Sequence, residues 1–258
     1  MLIDLHNHTP LCKHANGNPE EYVKKAIEKG INIYGFADHA PMDFDPKYRM
    51  GFEEMDKYEK TISQLSQKYK NDIKILIGYE VDFTPMIDKR VLQRDVDYLI
   101  GSVHFLDNWG FDNPEFIKEW KNRNVEDIYK EYFSLIEKMA NSKLFNIVGH
   151  LDLIKVFGYK PKTPVKDIAK NAIKAIKKAD MAVELNTAGL RKTVKELYPS
   201  DEILEMVSDE GIDITFSSDA HAPNQVGFML KETVKKAKEM GFSEAVYFEK
   251  KQKIKIKI

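Results

Sequence analysis

Length, composition and charge set broad limits on this chain. It has 258 residues, of which 43% are hydrophobic and 31% charged, and its formal net charge is −1. The length suits one large α/β barrel or two small domains, and the composition is ordinary for a globular protein. A nucleic-acid-binding protein would usually carry a basic excess, so we expect no nucleic-acid partner.

The single cysteine and the hydropathy pattern indicate the compartment. Cys12 is the only cysteine, which excludes an intrachain disulfide and is typical of a reducing environment. The first residues do not resemble a signal peptide, and no apolar run approaches the roughly 18 residues of a membrane span. We therefore predict a cytoplasmic protein with no membrane partner. The sequence does not indicate an oligomeric state.

Apolar runs alternate with helical patterns along the chain, which favours parallel strands joined by helices. The first helix has clear start and stop signals, with Asn18 as N-cap, Glu21 completing a capping box and Gly30 at its end. The predicted strands span residues 2–6, 32–36, 74–78, 98–102, 146–148, 181–185 and 213–216. The predicted helices span about residues 19–29, 52–69, 88–94, 125–141, 164–178, 199–208 and 224–240.

Two segments fall outside this alternation. Residues 106–124 are aromatic and acidic, and we predict an irregular loop over one face of the fold. The tail, at residues 245–248 and 253–258, alternates like a closing or edge strand. The lysines of residues 253–258 favour an edge strand protected from edge-to-edge pairing over a partner-binding strand. The whole chain, residues 1–258, is thus predicted to form one domain.

Polar residues follow every predicted strand. His6 and His8 end the first strand, and residues two apart in a strand point to the same side. The carboxyl ends of all strands in a parallel barrel share one rim, where active sites form. The other residues at these ends are His14, Asp38, His39, Glu80, Asp82, His104, His150, Asp152, Glu184, Asn186, Asp219 and His221.

This set predicts a metal centre. A lone histidine is more often a hydrogen-bonded core or surface residue, but all seven histidines of the chain lie near strand ends beside carboxylates. Imidazole and carboxylate ligands suit Zn²⁺, Mn²⁺ or Fe²⁺. The donors exceed the need of one ion, so we predict two or three divalent ions with Glu80 bridging. Cys12 is interpreted as a passive small apolar residue rather than a thiolate ligand.

Three carboxylates have two open interpretations. Asp82, Asp152 and Glu184 would either orient the imidazoles or lie solvated at the rim.

A metal centre that hydrolyses an anionic substrate also needs cations. Arg191 follows the sixth strand, and its fork of donors suits a phosphate; alternatively Arg191 is a solvated loop residue. Lys155 is a second candidate cation, and Asn186 is a further candidate phosphate contact. In the loop after His104, Asp107, Asp112 or Glu115 would pair with a cationic group of the substrate. The loop aromatics either form its pocket or only pack the loop.

These residues resemble motifs of the polymerase-and-histidinol-phosphatase (PHP) superfamily. The similar stretches are Asp4-Leu-His-Asn-His8, Gly35-Phe-Ala-Asp-His-Ala-Pro41, Gly101-Ser-Val-His-Phe105, Gly149-His-Leu-Asp152 and Ser217-Ser-Asp-Ala-His221. Residues 109–114 and 184–192 are similar to its histidinol phosphatase branch in particular. The resemblance implies an α/β fold, a distorted (βα)7 TIM-like barrel with a trinuclear metal centre.

The resemblance also implies ligands and a reaction. By position, His6, His8, Glu80 and Asp219 would hold the first ion, Glu80, His104 and His150 the second, and His14, His39 and His221 the third. The implied reaction is the hydrolysis of L-histidinol phosphate in histidine biosynthesis. Ion-activated water would attack phosphorus, with Arg191 neutralising the phosphoryl oxygens and Asp38, Asp152 or a water protonating the leaving group.

Three alternatives remain at this point. Another PHP phosphoesterase, acting on nucleotides or other small phosphate monoesters, would use the same metal ligands. A polymerase-associated nuclease would need a basic groove that the sequence does not indicate. A non-catalytic metal-binding domain would not need the arginine.

Overall fold

The computed structural model describes residues 1–85 and 87–258. In chain order its strands are β1 (Ile3–Asp4), β2 (Ile33–His39), β3 (Lys74–Asp82), β4 (Tyr98–Ser102), β5 (Phe105–Leu106), β6 (Trp109–Gly110), β7 (Ile147–Val148), β8 (Ala182–Asn186), β9 (Ile214–Ser217), β10 (Glu244–Glu249) and β11 (Gln252–Lys257). Its α-helices are α1 (Pro19–Glu28), α2 (Met55–Lys68), α3 (Lys89–Leu92), α4 (Val125–Ser142), α5 (Val165–Ala179), α6 (Asp201–Asp209) and α7 (Leu230–Glu239).

Seven of the strands form one parallel sheet in the order β1-β2-β3-β4-β7-β8-β9. Its two outer strands meet, because the Leu5 amide donates to the Phe216 carbonyl at 3.0 Å and the His8 amide donates to the Ala220 carbonyl at 3.0 Å. The sheet therefore closes into a distorted (βα)7 barrel, which confirms the predicted fold class. The closure brings the ends of the first and last strands, and so His8 and Asp219, together.

The interior of the barrel is filled below this closure by Tyr98, which is fully buried. Its hydroxyl donates to the Leu5 carbonyl at 2.6 Å. Gly35 and Gly78 make room for it, since a Cβ at Gly35 would lie 2.0 Å from the Tyr98 oxygen and one at Gly78 would lie 2.5 Å from the ring. Below the carboxyl ends of the strands, the barrel interior is therefore packed with side chains and is not a channel.

The first helix confirms the capping prediction. The Glu20 amide donates to the Asn18 side chain at 2.9 Å, and the Asn18 amide donates to Glu21 Oε2 at 2.6 Å. The helix predicted from residue 224 instead begins at Leu230. Gly227 and Met229 have φ values of 63° and 50°, and these left-handed residues interrupt the helical path before it.

The segment 105–122 is more ordered than predicted. Strands β5 and β6 pair antiparallel, and a 3₁₀ helix spans Pro114–Asn122. Trp120 is buried, and its indole N–H donates to the Phe111 carbonyl at 2.9 Å. The prediction of an irregular loop is therefore wrong, because buried aromatic side chains fix its backbone. We call residues 105–122 the lid.

The C-terminal tail forms the antiparallel hairpin β10–β11 rather than an edge strand of the barrel. The hairpin lies at the amino ends of the barrel strands. Lys253 Nζ contacts Asp180 at 2.6 Å and Asp213 at 3.0 Å, and the Lys251 amide donates to the Asp97 carbonyl at 2.7 Å.

Within the described part of the chain, no helix is both long enough and apolar enough to cross a membrane.

Candidate metal centre

The carboxyl ends of the barrel strands bring the predicted ligands together. In three groups, one donor atom from each residue lies within 4.8 Å of the others. The groups are His6, His8 and Glu80; Glu80, His104 and His150; and His14, His39 and His221. The geometry is thus compatible with the predicted ligand grouping.

Glu80 lies between two of these groups. It is near the end of β3 and is 1% exposed. Its Oε2 lies 3.2 Å from His6 Nε2 and 2.9 Å from His39 Nδ1, while its Oε1 lies 2.9 Å from His150 Nε2. One carboxylate therefore offers one oxygen to each of two histidine sets, which is the arrangement that a bridging ligand needs.

Carboxylates orient the first two histidines. Glu184 is buried, and its Oε2 lies 3.1 Å from His6 Nδ1. Asp38 is also buried, and its Oδ1 lies 3.3 Å from His8 Nδ1. Each pair leaves Nε2 free to bind an ion, and such contacts fix the ring and its tautomer. For Glu184 the solvated alternative is excluded. Asp38 is also predicted as a proton donor. Its Oδ2 accepts from the Thr9 amide at 3.1 Å, which fixes the carboxylate in its position beside His8.

Asp82 holds His104 in the same way. Asp82 Oδ1 lies 2.8 Å from His104 Nδ1, and Asp82 Oδ2 accepts from Arg49 Nη1 at 3.0 Å. The solvated alternative is excluded for Asp82 as well, because its side chain is 1% exposed. Arg49 is 3% exposed, and the sequence did not indicate that it would contact a site residue. It lies in a predicted loop, and no local pattern marks an arginine that turns inward.

Unpartnered buried atoms at the centre of the site show that its residues fit a bound cation. His6 Nε2, His8 Nε2 and Asp219 Oδ1 are buried without a hydrogen-bond partner. His8 Nε2 and Asp219 Oδ1 lie only 3.2 Å apart. Buried polar atoms are rarely left unsatisfied, and a metal ion between these donors would satisfy all of them.

The electrostatics of the site also call for positive charge. Burial alone would raise the pKa of Glu80, but the charges of His6 and His104 outweigh it and hold that pKa well below its usual value. Burial alone would lower the pKa of His6, yet Glu184, Glu80 and Asp219 raise it well above its usual value. Protons on the imidazoles therefore balance the buried carboxylates when no ion does.

Other imidazoles are kept neutral. Burial lowers the pKa of His39 to about 4, against the opposing charge of Glu80. Burial and the charge of His8 hold the pKa of His221 well below its usual value. Neutral imidazole is the form that binds a metal.

The third group is the most open to solvent, because His14 is exposed. The Cys12 carbonyl lies 2.8 Å from His14 Nδ1 and the Asp219 carbonyl 3.1 Å from His221 Nδ1, which again leaves Nε2 of each ring free. Cys12, His8 and His221 also have donor atoms within 4.8 Å of one another. The Cys12 sulfur, which is predicted from the sequence to be a passive apolar group, therefore lies close enough to these two histidines to be a metal ligand.

Arg191 lies beside the same rim. Its Nη2 donates to the Ser218 carbonyl at 2.8 Å and to the Asp219 carbonyl at 3.0 Å, while its Nη1 is buried without a hydrogen-bond partner. Burial lowers its pKa despite the opposing charge of Asp219. The solvated alternative for Arg191 is excluded, and one arm of its guanidinium is free for an anion.

Three other predicted residues are engaged within the protein. Asn186 Nδ2 donates to Glu184 Oε1 at 2.8 Å and to Asp219 Oδ2 at 3.1 Å, so it supports carboxylates. Lys155 Nζ lies 3.0 Å from Asp152 Oδ2 and donates to the Leu197 carbonyl at 2.7 Å. Asp152 is 1% exposed, which excludes the solvated alternative, and it meets a lysine rather than an imidazole. Lys155 Nζ and Asp152 Oδ2 thus have protein partners, whereas Asp152 Oδ1 is buried without a hydrogen-bond partner. The phosphate-binding role of Lys155 and the proton-donor role of Asp152 stay predictions.

The lid contributes one acid to the neighbourhood of the site. Asp112 is half-buried, and burial raises its pKa, although the charge of His104 opposes the shift. The lid aromatics pack on one another, with the rings of Trp109 and Trp120 5.3 Å apart. Trp109 and Trp120 therefore pack the lid, which is the second of the two alternatives predicted for the loop aromatics.

Comparison with known proteins agrees with this geometry. The PHP domain family model matches residues 4–188. The chain is 39% identical over 246 residues to a probable histidinol-phosphatase of Deinococcus radiodurans, an alignment that covers 93% of this chain and 94% of that protein. It is 30% identical over 256 residues to the histidinol-phosphatase of Bacillus subtilis, with 87% and 95% covered.

A solved structure has the same fold. The histidinol phosphate phosphatase of Lactococcus lactis, crystallised with zinc, L-histidinol and phosphate, superimposes with a TM-score of 0.82 at 23% identity, covering 98% of each chain. The family match spans most of the sequence and includes the strands that carry most of the donors. This chain belongs to the PHP domain family.

Proposed function

We propose that this protein is a histidinol-phosphatase, which hydrolyses L-histidinol phosphate to L-histidinol and phosphate in histidine biosynthesis. Residues 1–258 would act as one PHP phosphoesterase domain. The names of the Deinococcus and Bacillus relatives support the substrate. The observation that carries the proposal is the position of Glu80 between two histidine sets, in a site where Arg191 bonds to the Asp219 carbonyl and keeps Nη1 without a hydrogen-bond partner.

We assign the donors to two or three divalent ions. His6, His8, Glu80 and Asp219 would hold the first ion, Glu80, His104 and His150 the second, and His14, His39 and His221 the third. Nitrogen and oxygen donors suit zinc, manganese or iron, and the Lactococcus protein was crystallised with zinc. Bound ions would supply the Lewis acidity that polarises a phosphoryl oxygen and activates water near neutral pH.

The protein's own side chains would bind and orient the substrate. Arg191 Nη1 is a donor without a hydrogen-bond partner on the guanidinium that contacts the Asp219 carbonyl, and it would bind a phosphoryl oxygen through a charge-assisted hydrogen bond. Its Nη2 bonds to two carbonyls, Ser218 and Asp219, hold the guanidinium in place for that contact. Pre-oriented donors of this kind stabilise developing negative charge without reorganising.

Asp112 would recognise the other end of the substrate. L-Histidinol phosphate carries an amine and an imidazole, and an ionised Asp112 would pair with one of these cations. A partly buried carboxylate is a better partner for a cation than one in bulk water, since the local dielectric is lower. The acid that protonates the leaving oxygen would be Asp38, Asp152 or a water.

The test is phosphate release from L-histidinol phosphate, compared with nucleotide and sugar phosphates, with the protein loaded in turn with Mn²⁺, Zn²⁺ and Fe²⁺. A clear lead in kcat/KM for histidinol phosphate is expected. An equal or nucleotide-biased profile would retain the metal centre but assign the protein to another phosphoesterase activity. A cytoplasmic location stays a prediction, supported by the single cysteine.

A further inference from the structure

We propose that the buried ion pair of Lys155 and Asp152 is a positioning device for the metal centre, acting through Asn186 on Asp219 and Glu184. This inference rests on the proposed metal site. It gives Lys155 and Asp152 a role that does not require either side chain to meet substrate.

The ion pair holds one short segment at two points. Lys155 and Asp152 have side chains that are 8% and 2% exposed, with Nζ and Oδ2 3.0 Å apart. Lys155 Nζ donates to the Leu197 carbonyl at 2.7 Å, and Asp152 Oδ2 accepts from the Ser200 amide at 2.9 Å. Lys155 Nζ also lies 5.4 Å from the centroid of the Tyr198 ring. The backbone from Leu197 to Ser200 is therefore clamped between the two charges.

The clamped segment holds the end of β8. The Asn186 amide donates to the Tyr198 carbonyl at 2.7 Å, and the Tyr198 amide donates back to the Asn186 carbonyl at 3.0 Å. This exchange is an antiparallel bridge between Asn186 and Tyr198 at the end of a strand whose neighbours in the sheet are parallel. It sets where the Asn186 backbone lies, and hence where its side chain can reach.

The Asn186 side chain connects this bridge to the proposed metal site. Its Nδ2 bridges Glu184 Oε1 at 2.8 Å and Asp219 Oδ2 at 3.1 Å. Its Oδ1 accepts from the Ala188 amide at 2.8 Å, at the start of the 3₁₀ helix that carries Arg191. One amide therefore connects a proposed ligand, the carboxylate that orients His6, and the helix of the proposed phosphate contact.

A buried charge pair is a costly way to fix a loop, and well-packed apolar residues would often be as stable. Contacts beyond the ligands typically affect metal affinity about 10- to 100-fold. The geometry therefore predicts that metal affinity, rather than stability alone, depends on this pair.

The experiment uses the full chain and three variants, Lys155→Met, Asp152→Asn and the double variant. Lys155→Met leaves the buried Asp152 without its lysine, and Asp152→Asn leaves Lys155 with only the partly exposed Glu196, whose Oε2 lies 3.2 Å from Nζ. Both single variants are expected to lower the unfolding temperature. The double variant removes both charges, so its stability should recover while the bond to the Leu197 carbonyl stays lost. Zn²⁺ affinity, measured by competition with a chromophoric chelator, is expected to stay about 10-fold or more weaker in the double variant.

Lys160→Met is the matched control. The Lys160 side chain is 72% exposed and lies 3.8 Å from Glu196, the glutamate that Lys155 contacts at 3.2 Å. The variant therefore removes a nearby lysine without changing the contacts of Lys155 with Leu197 and Asp152, and wild-type Zn²⁺ affinity is expected. A double-mutant cycle tests the route: Lys155→Met combined with Asn186→Ser should weaken Zn²⁺ binding no more than Asn186→Ser alone.

Wild-type Zn²⁺ affinity in the folded double variant, or additive losses in the cycle, would overturn the inference. Because chelator competition needs no substrate, failure to hydrolyse histidinol phosphate would count against the proposed function and not against this positioning role.

Discussion

The two ends of the barrel use buried and half-buried charge in opposite ways. At the carboxyl end, His6 Nε2 and Asp219 Oδ1 are buried without a hydrogen-bond partner. At the amino end, Asp213 is paired with both Lys253 and Lys255, at 3.0 and 2.8 Å. The carboxyl end thus keeps some buried donors without a partner in the protein, whereas this carboxylate at the amino end is paired within the chain. The difference separates residues that serve binding from residues that serve stability.

Replacing Glu80 is expected to have the largest effect on metal binding and turnover at the carboxyl end. Glu80→Ala removes the oxygens between two histidine sets, so we expect it to lose bound metal and to lower kcat/KM by at least about 1000-fold, because several kcal/mol of transition-state stabilisation would be lost with the ions. Metal content by elemental analysis and steady-state kinetics check this. Glu249→Gln, at the other end of the barrel, is the control and should retain both. Retained turnover in Glu80→Ala would exclude the bridging role.

Removing the metal should destabilise the carboxyl end without any mutation. Ions present at about 1000 times their dissociation constant stabilise the folded state by about 4 kcal/mol. For a chain of this size that corresponds to a fall in unfolding temperature of roughly 8–16 °C after chelation. Differential scanning calorimetry of the loaded and chelated protein measures it. The Glu80→Ala variant should show a much smaller change on chelation, and an equal change would locate the stabilising ion elsewhere.

Arg191 should affect substrate more than metal. Arg191→Lys retains the positive charge but loses the fork that binds two carbonyls and leaves Nη1 free. One charge-assisted hydrogen bond is worth about 1.5–3 kcal/mol, so kcat/KM should fall about 10- to 150-fold. Inhibition by inorganic phosphate should weaken in parallel, while metal content stays that of the wild type. Unchanged phosphate inhibition would remove Arg191 from the site.

The smallest effect is expected at the amino end. Burial alone would raise the pKa of Asp213, but the hydrogen bonds from Lys255 and Lys253 outweigh it and lower the pKa below its ordinary value of 3.8. A carboxyl group with a lowered folded pKa stabilises the protein above its unfolded pKa, and loses that contribution as the pH falls through the folded value.

Asp213→Asn should therefore lower the unfolding temperature at pH 7 by about 1–4 °C, since a partly exposed pair contributes at most about 1 kcal/mol. The difference from the wild type should shrink as the pH falls below about 4 and approach zero in more acidic solution. A constant difference between pH 7 and pH 3 would show that the lost charge is not the cause. Turnover should not change.

The donors at the strand ends were predictable because they are encoded locally. Alternation along a strand places His6 and His8 on one side, and parallel strands place their carboxyl ends at one rim. Those two rules are enough to predict that Glu80, His104 and His150 lie at the same rim, without any information on the conformation of the loops. The contacts of Lys155 and Asp152 were not predictable in this way. Their respective partners, the Leu197 carbonyl and the Ser200 amide, lie more than forty positions away in loops whose paths no periodic pattern describes.

The sequence by itself determined the order of strands and helices, the N-cap at Asn18 and the collection of imidazoles and carboxylates at one rim. Only the tertiary structure decided which oxygen of Glu80 faces which histidines, that Arg49 supports Asp82, and that the lysine-rich tail packs at the opposite end as a hairpin. The physical reason is the range of the interactions. Periodicity and capping act between near neighbours in the chain, whereas burial and charge pairing depend on partners that only the closed barrel brings together.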